Sequence, residues 1–249
     1  MVTPEVEYWR TRAREAIASL ARAEAPTIAW VRRTGGSPAR LGVFPASFNP
    51  PTRAHVEIIR RAREHYDLEE IALLPGLTNA DKRVYEAALE DRVAMLLAAF
   101  ETDPTIAIGV VSHPFLVDMI PPLRREYATS EIFFLVGSDT FERLLDRQGR
   151  YLGRYSKPYP DRMAVLEDLF SASRVIVAAR GAFTCSALEQ LLEEEAAPYR
   201  SRIACMELSE EARFISATEV RWRIRRGESV ASLVPEAVEA YIRTAGLYQ

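Results

Sequence analysis

From residue 41 onward the chain repeats a simple alternation: a short unbroken apolar run, then a longer stretch whose apolar residues recur at helical spacing. The runs fall at 41–44, 71–74, 106–111, 131–136 and 174–178 and are rich in Val, Ile, Leu and Phe. Apolar runs of this kind suit strands covered on both faces, which is the environment of a parallel sheet. The amphipathic stretches supply the crossovers, so the pattern predicts a Rossmann-like, doubly wound α/β fold. Ahead of it, residues 4–25 place Ala16, Ile17, Leu20 and Ala21 at helical spacing, and Gly35-Gly36-Ser37-Pro38 breaks the run. Residues 1–38 are therefore expected to form an N-terminal helical extension and linker, with the main domain over 39–249. One helical pattern starts after Ser216 and stops at Gly227, and another runs from Pro235 to Gly246, giving a C-terminal helical part. Residues 148–159, rich in Arg, Tyr, Gly and Pro without period, read as a long loop before a helix carrying Met163 and Leu166. Such loops often border a ligand.

Composition narrows the class. Hydrophobic residues at 48% and charged residues at 27% provide for a full core and exclude a disordered chain. A net charge of −3 argues against a protein that coats nucleic acid, while small phosphorylated ligands need only a local cluster of cations. No window approaches the ~18 apolar residues of a membrane span. The acidic opening Pro4-Glu5-Val6-Glu7-Tyr8-Trp9 is unlike a signal peptide. A soluble cytoplasmic protein is expected, with a homo-oligomer left open. Cys185 and Cys205 fit no CxxC spacing and read as reduced core thiols. His65 and His113 have no partners at metal-ligand spacing and read as structural.

The candidate chemistry begins just past the first run. Pro45-Ala46-Ser47-Phe48-Asn49-Pro50-Pro51 forbids helix and central strand, so a loop must follow the strand. Thr52 then stands at a helix N-cap, and His55, Ile58, Ile59, Ala62 and Tyr66 form an inward stripe. A helix start beyond a parallel strand's carboxyl end favours anions, because its amides and dipole point at the ligand. A triphosphate fits there, with His55 and Thr52 as added hydrogen-bond donors. Near the far end, Ser216-Ala217-Thr218-Glu219 has capping-box spacing and opens a helix. Capping alone does not explain the arginines that follow, of which Arg221 and Arg225 share one face.

Residues 46–55 resemble the Gly-Ser-Phe-Asn-Pro-x-Thr-x-x-His variant of the nucleotidyltransferase HxGH signature seen in nicotinamide/nicotinate mononucleotide adenylyltransferases. Ala46 replaces the usual Gly, and Thr52 replaces the first His of the bacterial form. Residues 215–221 resemble the family's Ile-Ser-Ser-Thr-x-x-Arg signature, with Ala217 in place of a hydroxyl. The ending from Leu233 to Tyr248 is similar to the family's C-terminal helix. The resemblance implies His55, Thr52 and Arg221 as catalytic groups and Ser47, Phe48, Asn49, Ser216 and Thr218 as nucleotide-binding ones. It also implies Gly137 and Asp139, from a Gly-x-Asp beyond the fourth run, near the ribose, and Lys82 near the phosphates. Taken alone, Gly137 reads as a turn, Asp139 as an N-cap, and Lys82 as a surface cation. Arg92 reads as solvated or ion-paired.

The implied activity is transfer of AMP from ATP to nicotinate or nicotinamide mononucleotide in NAD biosynthesis, with Mg²⁺ carried by the polyphosphate and water rather than by a protein cage. The acceptor region departs from the family. Where bacterial relatives have a Ser-Tyr-Thr run, this chain has Phe115-Leu116-Val117-Asp118-Met119-Ile120, and no Trp follows Asp139 until Trp222. Phe141, Tyr151 and Tyr155 are the aromatic candidates for stacking. Two alternatives stay open at the level of sequence: a related nucleotidyltransferase with another phosphorylated acceptor, and a non-catalytic nucleotide-binding regulatory module.

Overall fold

Strands and helices alternate where the apolar runs and amphipathic stretches alternate. The computed structural model of the chain describes residues 4–21, 23–78 and 86–249. The order is α1 (Pro4–Leu20), β1 (Ile28–Arg32), β2 (Arg40–Phe44), α2 (Arg53–Tyr66), β3 (Glu70–Leu73), α3 (Leu89–Ala99), β4 (Ile106–Val111), α4 (Leu116–Glu126) and β5 (Glu131–Gly137). There follow α5 (Ser138–Leu145), α6 (Arg162–Ala172), β6 (Arg174–Ala179), α7 (Cys185–Glu195), β7 (Ile203–Glu207), α8 (Ala217–Arg225) and α9 (Glu236–Ala245). The seven strands form one sheet in the order β1-β4-β3-β2-β5-β6-β7. β1 runs antiparallel to β4, and the remaining neighbours are parallel.

Burial explains the unbroken runs. Every residue of β3 and β4 is buried, because helices cover both faces. Along β5, Phe133 and Leu135 join the core on one face while Ile132, Phe134 and Val136 join the core on the other. The chain winds outward from β2 through β3 to β4, then returns to the middle and winds the opposite way through β5, β6 and β7. Between β2 and β5 the crossovers diverge, leaving a crevice at the carboxyl ends of these strands, where open α/β sheets take their ligands.

Several elements differ from the sequence expectation. The stretch 1–38 is more than a helix and linker, since it carries β1, which pairs Ile28 with Val111 and Ala29 with Val110. α1 ends at Leu20, short of Ala25, and buries Val6, Ala13, Ala16 and Leu20. It is tied to the main body where Arg10 Nε donates to Asp91 Oδ1 at 2.5 Å, an oxygen that also accepts Tyr241 Oη at 2.8 Å. Cys185 and Cys205 are not free thiols: they are joined in a disulfide that links the start of α7 to β7. Their pairing is legible only once the crossover brings residues of 20 positions' separation together. Among the described residues, no helix is long and apolar enough to cross a membrane.

Candidate active site

The loop after β2 crosses the crevice and is gripped from three sides. Phe48 is fully buried with a positive φ of 46°, its ring edge-on to Phe44 at 5.4 Å. The Asn49–Pro50 peptide is cis. Asn49 Oδ1 accepts Tyr248 Oη at 2.7 Å, and its carbonyl accepts Arg221 Nη1 at 2.7 Å. The Ser47 carbonyl accepts Arg92 Nη1 at 2.9 Å. Arg92 is thus not solvated, being only 2% exposed, and it serves as a buried support for the loop. Ser47 lines the crevice, whereas Phe48 and Asn49 stand behind it as scaffold.

His55 occupies the third position of α2 and replaces the Glu or Gln of a capping box. Its Nδ1 accepts the Thr52 backbone N–H at 2.9 Å, and the Thr52 hydroxyl lies 2.8 Å from the same nitrogen. Because a backbone N–H can only donate, Nδ1 is the acceptor and Nε2 carries the proton. The ring rests against Phe48 and Phe44, with centroids at 5.1 and 5.7 Å. Burial, and secondarily the charge of Arg180, lowers its pKa to about 3. His55 is therefore neutral at ordinary pH, and its Nε2–H is a fixed donor at the crevice wall. Thr52, fully buried, acts on His55 and does not reach the crevice. The amide supply at this helix start is also smaller than expected, since the Arg53 N–H is taken by the Leu233 carbonyl at 2.8 Å.

The unfolded histidine binds a proton below about pH 6.5 while the folded one does not until about pH 3, so the unfolded state gains protons in that window. Acid thus erodes stability from pH 6.5 downward, by up to about 1.4 kcal/mol per pH unit from this group. Denaturant titrations at stepped pH should show a shallower slope in His55→Asn than in wild type; equal slopes would contradict the assignment.

α8 contributes to the same crevice. Ser216 caps it by accepting the Glu219 N–H at 3.1 Å, as the Ser-x-x-Glu spacing predicts. Ser216, Ala217, Thr218 and Arg221 all line the same crevice as Ser47 and His55. Arg221 Nη2 lies 3.3 Å from Thr218 Oγ1, and Nε donates to Glu86 Oε1 at 2.8 Å. Arg225 binds the other oxygen of Glu86. Although burial opposes it, these two guanidiniums hold the Glu86 carboxyl below its ordinary range.

Gly137 and Asp139 border the crevice from the end of β5. Gly137, not Asp139, is the N-cap of α5. Arg180, which the sequence reading passed over, follows β6 directly, lines the same crevice and donates through Nη2 to the Ile215 carbonyl at 2.8 Å. Asp139 is marked by the family's Gly-x-Asp pattern, whereas Arg180 carries no motif and only its place just past a strand's carboxyl end could have marked it. The whole crevice measures about 330 Å³. Lys82 lies outside the described residues.

Residues 43–223, which span both signature segments and everything between, match the family described as cytidylyltransferase-like. A Gemmatimonas aurantiaca protein named "Probable nicotinate-nucleotide adenylyltransferase" is 30% identical, over 84% of this chain and 92% of its own length. A Moorella thermoacetica protein of the same name is 26% identical, over 85% and 93%. This chain belongs to the nicotinate-nucleotide adenylyltransferase family. It is a nucleotidyltransferase of the cytidylyltransferase-like type. In fold, it matches the Plasmodium falciparum nicotinic acid mononucleotide adenylyltransferase complexed with NaAD, with a TM-score of 0.62 at 16% identity, over 84% of this chain and 97% of that one.

Another part of the crevice is largely aliphatic, and the geometry adds an aromatic wall to it. Phe115 and Tyr155 line it with ring centroids 4.6 Å apart, beside Leu116, Val117, Met119 and Leu144. Of the three aromatic candidates only Tyr155 reaches the crevice, since Phe141 is in the core and Tyr151 is buried beside Phe115. Burial, with lesser contributions from Asp146 and Asp118, raises the Tyr155 hydroxyl to about 12, so it is a neutral donor.

Proposed function

We propose that this enzyme transfers AMP from ATP to the phosphate of nicotinate or nicotinamide mononucleotide, releasing pyrophosphate and forming the dinucleotide. The observation that carries this reading is the neutral His55, with its Nε2–H fixed at the switch-point crevice that the Ser216–Arg221 segment also lines. An oxygen of the mononucleotide phosphate attacks the α-phosphorus of ATP in line, and the bond from that phosphorus to the bridging oxygen of the β-phosphate breaks. His55 donates to the α-phosphate oxygens as charge builds between α and β, without changing its own protonation. Ser216, Thr218 and Arg221 hold the β- and γ-phosphates, and Asp139 the ribose. Thr52 acts by holding the His55 ring. No covalent intermediate is required, and positioning with charge stabilisation supplies the rate.

Mg²⁺ fits this site only as a passenger of the polyphosphate. Asp139 is the one carboxylate lining the crevice among the described residues, too few for a cage of protein carboxylates. An ion that keeps most of its waters suits such a wall and would neutralise phosphate charge there.

The end bounded by Phe115 and Tyr155 takes the acceptor's ring. The NaAD complex of the P. falciparum neighbour supports a crevice of this fold that spans both halves of a dinucleotide. The test is pyrophosphate release from ATP against nicotinate mononucleotide, nicotinamide mononucleotide and unrelated phosphorylated acceptors. Release with a pyridine mononucleotide is expected; release only with another acceptor, or none despite ATP binding, would overturn the reading.

A further inference from the structure

The loop 146–161 runs from α5 to α6 and carries Tyr155 over the acceptor end of the crevice. Two buried carboxylates fasten it. Asp146, 5% exposed, accepts the backbone N–H groups of Arg150 and Tyr151 at 2.7 and 3.0 Å, which closes the first turn of the loop. Asp118, 2% exposed and in the first turn of α4, accepts from Ser156 twice through Oδ1, from its N–H at 3.1 Å and its hydroxyl at 2.6 Å. Ser156 directly follows Tyr155, so this pair of bonds fixes the backbone from which the Tyr155 ring projects. The partner ring, Phe115, sits just before α4, three positions ahead of Asp118. One carboxylate therefore sets the distance between the two aromatic walls.

The second carboxylate oxygen of Asp118, Oδ2, is buried with no hydrogen-bond partner among the described residues. A buried carboxylate with one oxygen unsatisfied is a destabilising element, and an apolar residue would pack at less cost. What Asp118 supplies that a Leu could not is the double acceptor for Ser156.

We propose that Asp118 is a positioning residue for the acceptor: by clamping Ser156 it holds Tyr155 against Phe115 and sets acceptor affinity without touching the substrate. This rests on the reading that the Phe115–Tyr155 end takes the acceptor. Asp118→Ala should raise the acceptor KM about tenfold, the loss expected when one well-placed aromatic wall is released. The KM for ATP should stay within about twofold, since that half of the crevice is untouched. Asp118→Asn keeps an oxygen facing Ser156 and should restore the acceptor KM to near the wild-type value. Adding Tyr155→Ala to Asp118→Ala should raise the acceptor KM no further than Tyr155→Ala alone, because the clamp acts through that ring.

Equal losses for ATP and acceptor, additive effects in the double variant, or an Asn variant as impaired as the Ala variant would overturn the inference. If Asp118→Ala does not fold, Ser156→Gly removes the shorter of the two bonds and should raise the acceptor KM in the same selective way. Hydrogen exchange across 146–161 reads the clamp independently of the acceptor's identity. Exchange should quicken in Asp118→Ala and stay slow in Asp118→Asn, and an unchanged rate in the Ala variant overturns the clamp. Absence of wild-type turnover with any pyridine mononucleotide would overturn the functional reading instead, with the exchange result still deciding the clamp.

Discussion

Turnover of a His55→Ala variant should fall by on the order of 10²–10³, the usual loss when one fixed donor to a developing charge is removed. That variant also removes the acceptor of the Thr52 N–H and leaves a gap beside Phe44 and Phe48, so it tests fold and chemistry together. His55→Asn separates them. Its side-chain oxygen can stand where Nδ1 accepts from Thr52, keeping the helix start capped, but nothing reaches the place of Nε2. It should be folded, as judged by thermal unfolding, and as slow as the Ala variant. His55→Gln, whose amide extends further, should recover part of the rate. Because the histidine is neutral across the working range, kcat of wild type should show no ionisation near pH 6.5. Wild-type turnover in His55→Asn would remove His55 from the reaction.

Arg221→Ala should lower kcat/KM for ATP by on the order of 10- to 100-fold, the range for losing charged hydrogen bonds. Two effects combine. The guanidinium lines the crevice, and its bond to the Asn49 carbonyl straps the second signature segment to the first. Arg221→Lys should recover little, since an ammonium cannot hold Asn49, Thr218 and Glu86 in one plane at once. Initial-rate measurements over a range of ATP concentrations decide this, and a Lys variant equal to wild type would show that charge alone is what the position supplies.

Much of this architecture is legible in the sequence because parallel strands announce themselves. The runs that form β2 to β6 are continuous since helices lie on both faces, and His55 falls on the inward stripe of its helix by spacing alone. The edge strands escape the same reading. β1 is half-buried along most of its length and kinked in register between Trp30 and Arg32, while β7 has one buried residue. Arg92 is misread when judged by residue type instead of position: it lies three after Leu89 and four before Leu96, on the apolar side of α3. Tyr155 is legible as a stacking candidate, but its pairing with Phe115 is not. Phe115 and Tyr155 are 40 positions apart in the numbering, and only the folding of the 146–161 loop onto α4 brings the rings to 4.6 Å.

The carboxylate of Glu86, shared between Arg221 and Arg225, gives the crevice its own counter-ion. On the proposed reading, a polyphosphate arriving at Arg221 would not meet a bare cation; it would trade places with an anion already in residence. Such binding would be an exchange, with an electrostatic gain equal to the difference between two anions competing for the same guanidinium, and less responsive to added salt than attraction to an empty positive site. An arginine-rich helix would thereby stay quiet toward passing anions, and yield to a ligand that brings several charges at once.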